Sequence, residues 1–166
     1  MSLENYTSTK FPSDSFLIVV KTHTRSFKES NFNLMKSIMD LFLVFINVHV
    51  QLETSPALWI CKAGATLAVE KISDRKLSNL ASVILTELCV VKNPSLILNT
   101  SMTAIAKARS PVAHEALLKW CVNFCKDFGV AYINDIMRTF SEWIIKVSFV
   151  LSERDQFSHN FNLTGK

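Results

Sequence analysis

Four cysteines (Cys61, Cys89, Cys121, Cys125) and four histidines (His23, His49, His114, His159) are the side chains of this 166-residue chain suited to soft-metal or thiol chemistry. Cys121 and Cys125 stand four apart, so a helix would bring both thiols to one face. A structural zinc would need two more ligands at comparable spacing, and the histidines do not supply them. His114 precedes Cys121 by two helical turns, but no third group is placed to orient that pair as a nucleophile and base. The neighbouring Glu115 invites acid–base work, yet a His–Glu pair just after Pro111 reads better as first-turn polar residues of a helix. Only three glycines occur, too few for a phosphate-cradling loop. The cysteines lie within apolar stretches, where a free thiol acts as a small core residue, and this usage fits a reducing compartment. No catalysis, metal or cofactor is expected.

The elements that hold these residues follow from composition. Gly and Pro total seven residues in a chain that is 49% hydrophobic, too few for a sandwich or barrel with a turn every ten residues. The hydrophobic fraction excludes wholesale disorder, and the length suits one domain. Helix is the economical answer. The polar start, Met1 to Lys10, has no apolar signal core. The longest apolar stretch, Leu41 to Val50, is interrupted by Asn47 and His49 and is about half a membrane span. The chain therefore reads as cytosolic, with no membrane partner.

Apolar spacing divides the chain into a flexible segment 1–12, a helical domain 13–150 and a polar tail 151–166. A first helix is expected to start at Ser13-Asp14 and a second after Ser30-Asn31, with Leu34, Met35, Ile38, Met39, Leu41, Phe42, Phe45 and Ile46 on its stripe. Pro56 is expected in the first turn of the third, which carries Leu58, Cys61, Ala65, Ala68, Val69 and Ile72. Ser73-Asp74 then ends that helix and caps the fourth, through Leu77, Leu80, Ala81, Ile84, Leu88 and Val91. Asn93-Pro94 and Ser110-Pro111 are cap-then-proline starts for the fifth and sixth, and Gly129 is a C-terminal glycine. A seventh shows Ile133, Ile136, Met137, Phe140, Ile144 and Val147. Trp59, Trp120 and Trp143 fall among apolar neighbours and are expected in the core.

The first members of successive helix pairs begin near Asp14, Pro56, Pro94 and Val130. Antiparallel pairs recurring at roughly 40 residues are the mark of HEAT or armadillo-type repeats. The expected fold is an all-α solenoid of about three and a half HEAT-like hairpins. Stacked hairpins place all within-pair turns on one edge and all between-pair turns on the other. The within-pair turns, Arg25–Ser30, Ser73–Lys76 and Lys107–Ser110, hold six of the 18 basic residues, opposed only by Glu29 and Asp74. That concentration, more than the net charge of +4, suggests a surface for an acidic partner. Aromatic and basic residues do not alternate on one face, so nucleic acid is not expected.

Three stretches carry a family resemblance. Phe27-Lys28-Glu29-Ser30-Asn31-Phe32 is similar to a Trp-Lys-acidic-Ser/Thr-Asn-Phe element of TOG domains, the tubulin-binding HEAT-repeat modules of the microtubule polymerase family. Val69-Glu70-Lys71-Ile72-Ser73-Asp74-Arg75-Lys76 resembles that family's Val-Glu/Asp-Lys-hydrophobic-Gly-Asp-x-Lys turn. Arg109-Ser110-Pro111-Val112, with Glu115, Trp120 and Phe128-Gly129, resembles its Lys-Asn-Pro-Lys-Val…Glu…Leu-x-Trp…Phe-Gly run. The matches fall in order over roughly residues 25–140 and are closest to an internal TOG module lacking its first repeats. Phe27 stands where the family has Trp, and Val112 where it has Lys.

What the resemblance implies is a non-catalytic module that binds the tubulin heterodimer or microtubule through its within-pair turns, in the cytoplasm at the microtubule, spindle or centrosome. Carried over residue by residue, the candidates are Lys28, Arg75, Lys76 and Arg109. Lys107 is added by its place in the turn. The rival expectation is a HEAT-type scaffold for a non-tubulin protein, with self-association through an exposed terminal repeat.

Overall fold

The computed structural model describes residues 31–108, 110–131, 138, 140–145 and 147–149. The expected first helix, the turn Arg25–Ser30, Lys28, Arg109, and Ile133, Ile136 and Met137 lie outside the described residues. The chain divides into two compact units, Met1–Ile38 and Met39–Lys166. The described part of the first is the beginning of helix α1, Phe32–Gln51. Asn31 caps it, its Oδ1 accepting from the backbone N–H of Asn33 at 3.0 Å and Leu34 at 3.2 Å. Met35 and Ile38 are buried.

The second unit holds the rest of α1, then α2 (Leu58–Lys71), α3 (Ser78–Val91), α4 (Pro94–Ile105) and α5 (Pro111–Phe128). The described residues between 138 and 149 are also helical, and Phe140, Trp143 and Val147 are buried. The described residues are all-α, with no strand among them, in the helical-repeat arrangement that the periodicity anticipates.

Helix α1 runs 20 residues, long and apolar enough by length and composition to cross a membrane. This corrects the reading from the ten-residue apolar stretch. Lys36 and Asp40 interrupt it, and Met39, Phe42, Phe45 and Ile46 are buried within the second unit, which is the pattern of a core helix. Phe42 shows how closely it docks. A Cβ at Gly64 of α2 would lie 2.8 Å from Phe42 Cε1 and 3.3 Å from Leu88 Cδ1. Glycine at position 64 is thus required by the approach of a ring, although glycine is a poor helix former.

Helix α2 packs against both α3 and α4. Trp120 of α5 reaches α3, its Nε1 donating to Thr86 Oγ1 at 3.1 Å. The result is two layers, α2 beside α4 and α3 beside α5. Lys92, just ahead of α4, donates through Nζ to Ser55 Oγ at 2.8 Å and to the Pro56 carbonyl at 3.2 Å, just ahead of α2. The starts of α2 and α4 are therefore adjacent and the two helices are parallel, as stacked hairpins require.

Local chemistry accounts for most boundaries. Asn93 caps α4, its Oδ1 accepting from Ser95 N at 2.8 Å with Pro94 at the first position. Gly129 ends α5 at φ 85°, a conformation costly for any other residue. Three expectations need correction. Pro56 is buried but precedes the N-cap Ala57, so it stands outside the first turn of α2. Leu58 and Trp59, expected in the core, are 46% and 37% exposed, because α2 turns this first-turn face away from α3 and α4. Ser110 begins α5 without a side-chain cap.

Candidate protein-binding edge

The first described within-pair turn, residues 72–77, is built on Asp74. Its Oδ1 accepts from the backbone N–H of Lys76 at 2.8 Å and Leu77 at 3.0 Å. These are the i+2 and i+3 donors that an N-cap satisfies, so Asp74 caps the turn leading into α3. Buried Ile72 and Leu77 pin its two ends to the core. Between them Arg75 and Lys76 are exposed. The aspartate that seemed only to dilute the positive charge is what shapes the loop presenting it.

The second turn, residues 106–110, is held differently. His114 is 92% buried, and its Nε2 lies 3.0 Å from the Ala108 carbonyl oxygen. That carbonyl needs a donor, so the proton resides on Nε2. The imidazole thus reaches back over Pro111 to clamp the turn, and Lys107 beside Ala108 is exposed. The sequence reading placed His114 as a polar first-turn residue and missed this role. The available signal was a histidine at the fourth position of a proline-started helix, where a side chain folds back toward the preceding turn.

Because α2 and α4 run parallel from adjacent starts, their far ends are side by side, and the two turns leave from that end. The groove between α2 and α4 is lined there by Glu70 and Lys107, and one groove between α3 and α5 is lined by both Arg75 and Val112. Arg75, Lys76 and Lys107 thus share one edge of the second unit. The structure brings these three candidates together. Lys28 and Arg109 fall outside the described residues.

The thiols have little chemistry to offer. All four cysteines are free; Cys61, Cys89 and Cys121 are buried and Cys125 is half-buried. Burial pushes every one of their pKa values up, because a thiolate loses its hydration. The charge of Lys92 partly opposes this at Cys61, while Cys125 and Cys89 reinforce it at Cys121. Such thiols are poor nucleophiles at neutral pH. Among the described residues no cluster of three His, Cys, Asp or Glu side chains is arranged to hold a metal.

The fold and edge together define an all-α helical-repeat protein that presents exposed cations on adjacent turns. Comparison with protein-family models, curated proteins and solved structures finds no match to this chain.

Proposed function

We propose that this chain is a non-catalytic, tubulin-binding module of the TOG type, acting at the microtubule, spindle or centrosome through its within-pair turns. The observation that carries the reading is the shared edge of Arg75, Lys76 and Lys107, all exposed, on turns whose backbones are fixed by Asp74 and His114. Fixed turns present charge without the ordering cost that a mobile loop bears on binding. The sequence resemblance at residues 69–76 and 109–129 supplies the partner's identity. Each exposed ionic contact contributes about 0.2–1 kcal/mol, so binding depends on several contacts together and weakens with salt.

The test is co-elution with unpolymerised tubulin at low and high salt. The Arg75→Glu, Lys76→Glu double variant is expected to lose co-elution while keeping its helical circular dichroism. Undiminished binding by that variant would overturn the reading. A scaffold for a non-tubulin protein is the second reading, favoured by one observation: Val130, Ile145 and Phe149 are 63%, 56% and 68% exposed toward the C-terminal end of the described residues. Salt-insensitive self-association without tubulin binding would support it.

A further inference from the structure

The between-pair edge has a regularity that the tubulin reading does not use. Val50, Val90 and Phe128 stand in the last turns of α1, α3 and α5, 40 and 38 residues apart, and all three are exposed. They form a row. Val50 and Val90 line a groove of about 290 Å³ between the ends of α1 and α3, and Val90 and Phe128 line one of about 250 Å³ between the ends of α3 and α5. Leu52, in the turn after α1, and Leu58 and Trp59, in the first turn of α2, are exposed on the same edge. Recurrence at the period of the hairpins sets these side chains apart from apolar residues scattered singly over a surface.

The row is held in place from beneath. Phe128 stacks on buried Phe124, with ring centroids 4.8 Å apart, and Lys92 ties the turn after α3 to Ser55 and Pro56. Charge plays little part here. Lys92 is engaged in that tie, Lys126 and Asp127 offset one another in the last turn of α5, and Glu53 is exposed in the turn after α1. Arg75, Lys76 and Lys107 are exposed at the opposite edge.

We propose that the between-pair edge is a two-fold interface between two copies of this chain. The area fits. The six apolar side chains are 37–60% exposed, which leaves roughly 500 Å² of them within reach of solvent. A stable interface takes about 800 Å² from each partner, and at the ~65% apolar share of homodimers that is about 520 Å². The shape fits too. A row of three ridges with a groove on either side of Val90 is self-complementary under a two-fold rotation: Val50 of each copy enters the α3–α5 groove of the other, and Val90 enters the α1–α3 groove. One contact fills both grooves and closes at two subunits. Docking by the within-pair edge would instead set Arg75, Lys76 and Lys107 against like charges. At the between-pair edge the two Glu53 carboxylates stand one and a half helix spacings apart, roughly 14 Å, beyond the ~8 Å over which exposed charges act at physiological salt.

Sedimentation equilibrium of the full chain tests this. A dimer is expected, with a dissociation constant of about 10 µM or tighter, equally stable in low and high salt because its contacts are apolar. Val90→Asp, at the centre of the row, should weaken it at least about tenfold with circular dichroism unchanged, and Val50→Asp should act likewise. Ile145→Asp, away from the row, should leave the dimer intact. A monomer at about 100 µM, or a dimer that survives both Val90→Asp and Val50→Asp, would overturn the proposal. So would species that grow past the dimer with concentration, the mark of end-to-end stacking through Val130, Ile145 and Phe149. A monomer that floats with phosphatidylcholine vesicles would overturn it in favour of a lipid surface. The dimer and the tubulin reading fail separately, since the two-fold leaves both within-pair edges uncovered. The Arg75→Glu, Lys76→Glu variant is expected to stay dimeric, and Val90→Asp to keep tubulin co-elution.

Discussion

The two edges of the helical stack use the same residue types for opposite ends. At the between-pair edge, Lys92 is held by Ser55 and Pro56, His49 Nδ1 and Thr54 Oγ1 lie 2.7 Å apart, and Asn93 caps α4. Its polar side chains face inward to one another and join α2 to α4. At the within-pair edge, the inward duties fall to Asp74 and His114, and Arg75, Lys76 and Lys107 beside them are exposed. A lysine in a turn is thus a fastener or a contact according to whether a carbonyl from the next repeat lies within its reach. Counting charge by turn does not distinguish the two, but geometry does.

The largest effect should strike what both edges rest upon. Phe42→Ala removes the ring that fills the space above Gly64, and is expected to cost about 3–5 kcal/mol in urea unfolding. Gly64→Val should cost about 1–3 kcal/mol, because its Cβ would meet Phe42 and Leu88 at 2.8 and 3.3 Å. Either change lowers stability without favouring one edge. A loss confined to one turn in hydrogen exchange would show that the edges do not share this core.

Asp74→Ala separates them. It removes two backbone acceptors from the turn carrying Arg75 and Lys76, with an expected loss of about 1 kcal/mol. Tubulin co-elution should weaken more than that stability loss suggests, because the turn's preorganisation goes with it. Lys92→Met is the counterpart on the other edge. It leaves Pro56 O and Ser55 Oγ without the ammonium donor, costs about 1 kcal/mol, and should leave tubulin binding unaltered. If both variants weakened binding equally, the contrast between edges would have no functional content.

Among the described residues, helix order and stacking direction were legible because each rests on local signals: apolar spacing, Asn31 and Asn93 caps, prolines at Pro94 and Pro111, and Gly129. Residues whose role depends on distant partners were not. Trp59 has the neighbours of a core residue, and only the direction in which α2 packs exposes it. Lys92 looks like any surface lysine until the chain 36 residues earlier lies beneath it.

The smallest expected effect concerns pH at the between-pair edge. His49 packs edge-on against Phe45, with ring centroids 4.5 Å apart, and partial burial lowers its pKa from the ordinary 6.5. The folded state therefore holds fewer protons on this ring than the unfolded chain does. Stability from this residue is fully present above about pH 6.5 and declines as acid protonates the unfolded chain first, until the folded ring is protonated as well. Thermal midpoints should thus fall modestly between pH 7 and pH 5.5, and His49→Gln should flatten that slope. No equivalent flattening is expected from Lys92→Met, whose charge does not change over this range, so the pair of variants assigns the acid sensitivity of this edge to one imidazole.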